Sequence, residues 1–220
     1  LRNYQLDKNN YNHILAIKEV GKHINTNSFI YDAFVYIYKQ QRLYGKSASY
    51  STDSFGRRSF VYSQWPQKEM FETLNHMTQD TIRASEPIVL RDYSVPRRFI
   101  TCIFTLPQGN QSPYGIVLVL IEEKEIIKLV KNTNRNFSDG EFLILDDKGN
   151  VIMSSMHNLP CDHVSQLKGL IDDSSPSTND ILTIEGKEFL VSSIESNSMD
   201  WKYFSILPVK AAMSDVIRLQ

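Results

Sequence analysis

Apolar residues recur in this chain first at helical spacing and then at strand spacing. Ile14, Ile17, Gly21 and Ile24 lie three or four residues apart, which is the spacing of one face of an amphipathic helix. The first predicted element is therefore a long helix over Leu6–Ile24. Its stripe can cover the protein's own sheet or pair with the same helix of a second copy, and the sequence leaves both roles open.

Runs of aromatic and β-branched residues, separated by polar turns, predict strands after this helix. The first half of the chain carries five of them: Phe29–Tyr38, Arg42–Tyr50, Ile88–Tyr93, Arg98–Leu106 and Pro113–Ile121. An amphipathic helix over Gln67–Ile82 is predicted between the second and the third strand. The fifth run is almost wholly apolar, which favours a central position in the sheet.

The second half of the chain repeats this order. A helix over Glu122–Lys131 precedes five further predicted strands: Glu141–Leu145, Val151–Ser154, Ile181–Ile184, Lys187–Ile194 and Trp201–Leu207. A short helical piece near Val164–Ile171 follows the second of these strands, and Val209–Leu219 is a final helix. Five antiparallel strands with a helical insertion after the second give the order of a PAS-like sheet. The predicted fold class is α+β, with a long N-terminal helix and two PAS-like antiparallel five-stranded sheets.

Composition narrows the possible functions. The chain has 220 residues, of which 41% are hydrophobic and 22% charged, as in ordinary globular proteins. Its 24 basic and 25 acidic residues give a net charge of −1, so direct nucleic-acid binding by this chain is not expected. No apolar run reaches the roughly 18–20 residues of a membrane-spanning helix. Because the chain starts with Leu1 rather than Met, we expect it to be cut from a longer protein that carries the membrane segments.

Catalytic and metal-binding chemistry is not indicated. No nucleophile-elbow, Walker or dinucleotide-binding motif is present, so we predict no enzymatic activity and no cofactor. His157, Cys161, Asp162 and His163 are residue types that bind metals, but their spacing matches no zinc pattern. We interpret this segment as a solvated polar loop without a metal.

Candidate ligand-binding residues combine aromatic rings with arginines. One ends the second predicted strand, four follow that strand, and three lie at the end of the third: Tyr50; Arg57, Arg58, Tyr62 and Trp65; Arg91, Asp92 and Tyr93. Aromatic faces and arginine forks can clamp a small polar ligand. The alternative is that the rings belong to the core and the arginines are solvated. Both interpretations fit the sequence.

Four phrases of the sequence carry a family resemblance: Ser28–Tyr36, Phe104–Pro107 with Tyr114–Lys124, Leu145–Ser155, and Ser192-Ser193 with Met199–Pro208. Over nearly its whole length the chain resembles the double Cache sensor domains of bacterial membrane receptors. The phrases resemble the extracytoplasmic part of membrane-anchored AraC-type transcription regulators of Gram-positive bacteria. Histidine kinases and chemoreceptors share the same sensor architecture, and they remain the alternative output.

The resemblance implies a domain organisation and a function. It implies a stalk helix over 1–25, a membrane-distal ligand-binding subdomain over 26–121, a linker helix over 122–139, a membrane-proximal subdomain over 140–208, and a helix over 209–220 that leads to a transmembrane segment. The chain would be an extracellular sensor that relays small-molecule binding to a cytoplasmic helix-turn-helix domain. It would form a homodimer through the N-terminal helix.

The ligand class follows in part from a departure from the family pattern. Amino-acid-sensing members carry an Arg-x-Trp-Tyr element, whereas here Arg58 and Trp65 are separated by six residues. This departure argues against an amino acid, and the resemblance implies a carbohydrate or another small nutrient instead, because many such regulators accompany polysaccharide-utilisation genes. The alternative from a different class is an interaction module that binds no ligand of its own and contacts a solute-binding protein.

Overall fold

A computed structural model describes residues 8–25, 28–91, 93, 95–109, 112–133, 140–156, 179–184, 186–196 and 201–211. The chain divides into two compact units, Leu1–Ile126 and Ile127–Gln220, and each contains one antiparallel sheet. None of the helices within the described ranges is long and apolar enough to cross a bilayer. The predicted α+β class with two antiparallel sheets is confirmed.

The first unit alternates helices with short and long strands. Its elements are α1 (Lys8–Asn25), β1 (Asp32–Ile37), β2 (Arg42–Tyr44), β3 (Ser49–Ser51), the short turn α2 (Thr52–Ser54), β4 (Phe60–Tyr62), α3 (Gln67–Asn75), β5 (Thr81–Leu90), β6 (Arg97–Leu106), β7 (Gly115–Glu122) and the start of α4 (Glu123–Thr133). A single π-helical turn over Phe55–Ser59 joins α2 to β4.

The first sheet has seven strands in the order β3-β2-β1-β7-β6-β5-β4, two more than predicted. Its central five, β2-β1-β7-β6-β5, have the expected PAS-like order, and β3 and β4 add three residues each at the edges. The helix predicted to run to Ile82 ends at Asn75, and Ile82 lies in β5 opposite Cys102 of β6. Thr81 and Ile82 favour strands, and pairing with β6 outweighs the helical spacing of the preceding residues.

One face of this sheet carries the core of the first unit. Phe34, Tyr36, Phe99 and Leu118 are fully buried there, together with side chains from the π-turn and α3. Helix α1 contacts β1 and β2. Gly21 of α1 is buried, and a methyl group added there would lie 3.0 Å from the backbone oxygen of Lys46. At this position the predicted stripe therefore faces the protein's own sheet.

The second unit repeats the strand order of the first sheet. β8 (Glu141–Leu145), β9 (Val151–Ser154), β10 (Asn179–Ile184), β11 (Lys187–Glu195) and β12 (Lys202–Pro208) form the order β10-β11-β12-β8-β9. Among the described residues, one core cluster of this unit comprises Leu143, Leu145, Val191, Phe204 and Ile206. The helical piece predicted near Val164–Ile171 lies outside the described residues, and only 209–211 of the predicted final helix are described.

Candidate functional site

The aromatic candidates from the sequence lie in the core of the first unit. Tyr62 and Trp65 are buried, and Tyr50 is half-buried with its ring 5.8 Å from the rings of both Phe34 and Phe60. Phe55 and Phe60 stack at 5.0 Å between centroids. We name Phe34, Tyr50, Phe55, Phe60 and Phe71 the aromatic cluster; these rings pack against one another over the sheet face.

A hydrogen-bonded network holds Tyr62 and Trp65 in place. The Tyr62 hydroxyl bonds to Thr101 Oγ1 at 3.1 Å, and burial raises the pKa of Tyr62. Arg83 lies over the Trp65 ring at 4.0 Å and donates to Glu86 Oε1 at 3.0 Å. Glu86 is only 3% exposed, and its other oxygen accepts the Gln64 backbone N–H at 2.8 Å. These contacts are structural and leave both rings enclosed.

The arginine candidates lie at the surface. Arg57 pairs with Asp53 at 3.3 Å, and both side chains are about two-thirds exposed. The Arg58 side chain is exposed and makes no hydrogen bond or ion pair with any residue that the structure describes. Arg91 is exposed as well, and its backbone N–H donates to Ser59 O. Asp92 lies outside the described residues.

Polar and charged groups meet in an open cleft at another part of the first unit. This Arg97 cleft has a volume of about 260 Å³ and is lined by Ser28, Phe29, Ile30, Tyr31, Arg97, Glu122, Lys124 and Glu125. It forms where the chain enters β1, where β6 begins, and where β7 passes into α4. Glu122 pairs in register with Phe99, and Arg97 is two residues before Phe99, so all three side chains lie on the core face.

Arg97 is the centre of this cleft. It donates to both carboxylate oxygens of Glu122, through Nε at 2.7 Å and through a second guanidinium nitrogen. Its guanidinium carbon lies 4.7 Å from the Tyr31 ring centroid, 5.3 Å from Tyr93 and 5.6 Å from Phe99. The cation is thus held side-on by a carboxylate and surrounded by three aromatic rings. Its side chain keeps 20% of its surface exposed.

The electrostatics of the cleft follow from this pair. Burial of Glu122 pushes the pKa of its carboxyl up, but hydrogen bonds from Arg97 and Lys124 outweigh that effect, and the net shift is downward. The hydrogen bonds to Glu122 also raise the pKa of Arg97. Burial raises the pKa of Tyr31 despite the opposing charge of Arg97. Glu122 is therefore ionised, Arg97 is charged, and Tyr31 is a neutral phenol at physiological pH.

Among the sequence candidates that the structure describes, Tyr93 is the one that lies at this cleft, through its contact with Arg97. Tyr31, Arg97 and Glu122 were not among the candidates. A signal for them does exist in the sequence: Arg97-Arg98 opens one strand, and Glu122-Glu123 follows the next strand. If those two strands are paired as antiparallel neighbours, two positive residues meet two negative ones, and Arg98 indeed bonds to Glu123 at 2.8 Å.

No group of three or more His, Cys, Asp or Glu side chains suited to a metal occurs within the described ranges. His157, Cys161, Asp162 and His163 lie outside them. Cys102 is a buried free thiol, and burial raises its pKa to about 11. It is therefore protonated at neutral pH and has little nucleophilic character.

No protein-family model matches this chain, and no curated protein matches its sequence. Several solved structures share its fold. An extracellular domain assigned to a histidine kinase, soHK1S-Z6, matches with a TM-score of 0.62 at 14% identity, over 96% of this chain and 83% of its own. The periplasmic sensory domain of the Campylobacter jejuni chemoreceptor Tlp1 gives 0.56 at 11% identity, over 94% and 81%.

A third match is the ligand-binding domain of the Pseudomonas fluorescens chemoreceptor CtaA in complex with L-isoleucine. Its TM-score is 0.52 at 11% identity, over 93% of this chain and 86% of that domain. At such identities the likeness shows the fold. The chain has the fold of extracellular and periplasmic sensor domains of histidine kinases and chemoreceptors.

Proposed function

We propose that this chain, with its sensor-domain fold, is the extracellular small-molecule sensor of a membrane receptor and that the Arg97 cleft binds the ligand. The observation that carries the proposal is the Arg97–Glu122 pair, enclosed by three rings yet open to solvent on one side. A charged pair of this kind offers directed donors and acceptors beside apolar faces, which is what a site for a small polar ligand requires.

The charge balance of the cleft favours an uncharged ligand. Arg97 and Lys124 both bond to Glu122, so neither cation is left to attract a carboxylate on its own. Arg97 retains N–H donors that Glu122 does not use, because a guanidinium has five. The Tyr31 hydroxyl makes no hydrogen bond with the residues that the structure describes. Hydroxyl groups both donate and accept, and sugar rings have apolar faces suited to aromatic rings. A carbohydrate or similar neutral nutrient fits this chemistry better than an amino acid.

The position of the cleft suggests how binding is transmitted. Glu122 ends β7, and α4 begins at the next residue. Glu123, the first residue of α4, is buried and accepts hydrogen bonds from Arg98 and Ser85. A ligand that forms new hydrogen bonds with Arg97 or Glu122 therefore acts directly beside Glu123, the first residue of α4. It shifts the receptor only if it binds one arrangement more tightly than the other.

For the rest of the receptor, we propose membrane anchoring and a cytoplasmic AraC-type transcription regulator as the output, on the strength of the sequence phrases. A histidine kinase or chemoreceptor output fits the fold equally well. We also propose a homodimer through α1, supported by the exposure of Ile14 (57%) and Leu15 (44%). An apolar groove of about 320 Å³, lined in part by Val20, Val35 and Tyr44, borders the same helix.

Thermal unfolding of the chain against panels of sugars, amino acids and organic acids tests the ligand proposal. A ligand at about 100 times its Kd adds about 2.7 kcal/mol, which corresponds to a shift of roughly 5–10 °C for a chain of this size. We expect a hit among the sugars. Arg97→Lys keeps the positive charge but loses the planar guanidinium group, so the ligand should no longer raise the melting temperature. Arg58→Ala should show the same ligand-induced rise as the wild type.

Two results would overturn parts of this proposal. A ligand shift that survives in Arg97→Lys would place the site elsewhere. A shift with amino acids alone would reject the carbohydrate assignment but keep the sensor function. If no panel gives a shift, a protein partner such as a solute-binding protein becomes the better candidate.

A further inference from the structure

A second cleft lies in the second unit, where the β10–β11 hairpin turn meets the end of β12. This Lys210 cleft has a volume of about 680 Å³ and is lined by Thr183, Gly186, Lys187, Glu188, Phe189, Pro208, Val209 and Lys210. Sites for small molecules typically enclose roughly 300–1,000 Å³. The cleft is therefore large enough for a ligand of its own.

The apolar side of the Lys210 cleft is fixed by the sheet. Phe189 pairs in register with Leu182 on one side and Pro208 on the other. It is half-buried and packs against the core cluster of the second unit. Val209 follows Pro208 directly at the end of β12. Phe189 and Pro208 on neighbouring strands, with Val209 directly after β12, thus give one side of the cleft an apolar lining.

The polar side of the cleft is predominantly positive. Lys187 and Lys210 are both exposed, and neither forms an ion pair with another of the described residues. Glu188 contributes the single carboxylate among the lining residues. The two lysines outnumber this carboxylate, so the lining residues carry a net positive charge. This differs from the Arg97 cleft, where both Arg97 and Lys124 are paired with a buried glutamate.

We propose that the Lys210 cleft binds a small carboxylate with an apolar body, of the chemical class of medium-chain fatty acids. The ammonium groups of Lys187 and Lys210 hold the carboxylate, and the acyl chain lies on Phe189, Pro208 and Val209. Lysine suits this role because its ammonium is a compact charge with three donors on a flexible stem. Each methylene that leaves water contributes about 0.8 kcal/mol, so the apolar body supplies most of the affinity. This site is independent of the Arg97 cleft and of the ligand proposed there.

Calorimetric titration of the whole chain with octanoate and with octanamide tests this proposal. The two molecules share the acyl chain and differ in charge, so the lysines should make octanoate bind about tenfold more tightly than the amide. Lys187→Gln and Lys210→Gln should each weaken octanoate binding about threefold, and together about tenfold. Lys148→Gln, an exposed lysine on the β8–β9 turn, is the matched control and should change nothing.

Two further experiments distinguish binding at the Lys210 cleft from binding at the Arg97 cleft and from binding to a lipid surface. Arg97→Lys should leave octanoate binding unchanged, so failure of the sugar-sensor proposal and failure of this one give different results. Vesicles of phosphatidylglycerol in phosphatidylcholine test whether the lysines serve a lipid surface instead. The proposal is overturned if octanamide binds as well as octanoate, if the double lysine variant binds octanoate like the wild type, if no saturation occurs below about 10 mM, or if the chain binds the vesicles and not octanoate.

Discussion

The aromatic cluster and the Arg97 cleft lie on the same face of the first sheet, and both are rich in aromatic rings. In the aromatic cluster the rings contact other rings, and Phe34 and Phe55 have no exposed surface. In the Arg97 cleft the rings surround a guanidinium that remains partly exposed. Aromatic residues therefore do not by themselves indicate a binding site. The residues that they contact determine whether the rings form a filled core or line an open cleft.

The physical reason is the cost of removing charge from water. Rings that meet other rings lose only apolar hydration when they are buried, which is favourable. An ion pair pays a desolvation penalty on burial that its own attraction offsets only in part. The Arg97–Glu122 pair keeps one side open, and that opening is what makes a cleft. The following predictions test this contrast, from the largest expected effect to the smallest.

Phe55→Ala should destabilise the chain by about 3–5 kcal/mol, because it leaves a cavity in the middle of the aromatic cluster. Phe55→Leu, which keeps most of the volume, should cost about 1 kcal/mol. Urea denaturation followed by fluorescence gives both values. A loss below about 1 kcal/mol for the alanine variant would mean that the aromatic cluster is not closed, and the contrast with the cleft would disappear.

Arg83→Ala should cost about 2 kcal/mol, because Glu86 stays buried while its charged partner and the cation over Trp65 are lost. The estimate is below that for a fully buried pair because Arg83 is partly exposed. Adding Glu86→Gln removes the unpaired charge and should restore part of the stability in the same urea experiment. A double variant as unstable as Arg83→Ala would show that the carboxylate is not the cause.

The Arg97–Glu122 pair should make stability depend on acid pH. The folded pKa of Glu122 is below its ordinary 4.5, so the pair contributes stability above that value and loses it as the pH falls through the folded pKa. The stability gap between wild type and Arg97→Ala should therefore be widest above about pH 4.5 and close in stronger acid. Urea titrations from pH 7 to pH 2 measure it, with Arg58→Ala as the control. A gap that is constant with pH would show that Arg97 acts through packing alone.

Arg57→Ala should change stability by less than about 1 kcal/mol, because its ion pair with Asp53 is exposed. Arg58→Ala should change it even less. Neither should affect a ligand-induced thermal shift if the Arg97 cleft is the site. If these two variants abolish the shift while Arg97→Lys retains it, the candidates Arg57 and Arg58 predicted from the sequence are the binding residues and our assignment of the cleft fails.

Much of the fold is readable from local sequence. β8 and β9 have the predicted bounds, and β6, β7, β11 and β12 agree to within two residues, because each is an apolar run ended by a turn. The error at Ile82 arose where a helical spacing continues into residues whose conformation is set by pairing with a distant strand. β4 was not predicted, for a similar reason: it has only three residues, and it forms its strand-to-strand pairing with β5.

Less of the candidate site than of the fold could be predicted from the sequence. Composition pointed to the segment from Tyr50 to Trp65, where rings and arginines are dense, but burial there depends on how the π-turn and α3 pack on the sheet, which periodicity does not reveal. Tyr31 and Glu122 are distant in sequence and meet only because β1 and β7 are neighbours in the sheet. Strand pairing, rather than residue type, was the missing information.

The shared strand order has a consequence for how the protein is made. In both units the last strand of the sheet to be synthesised lies in its middle, β7 between β1 and β6, and β12 between β11 and β8. While the first unit is being synthesised, the edges of β1 and β6 that will pair with β7 stay unpaired until β7 has emerged from the ribosome. Both halves of the sheet therefore expose unpaired edges. Such distant pairing is slow. A nascent chain that stops before Gly115 would hold two separate strand groups, and folding of each unit would wait for its final strand.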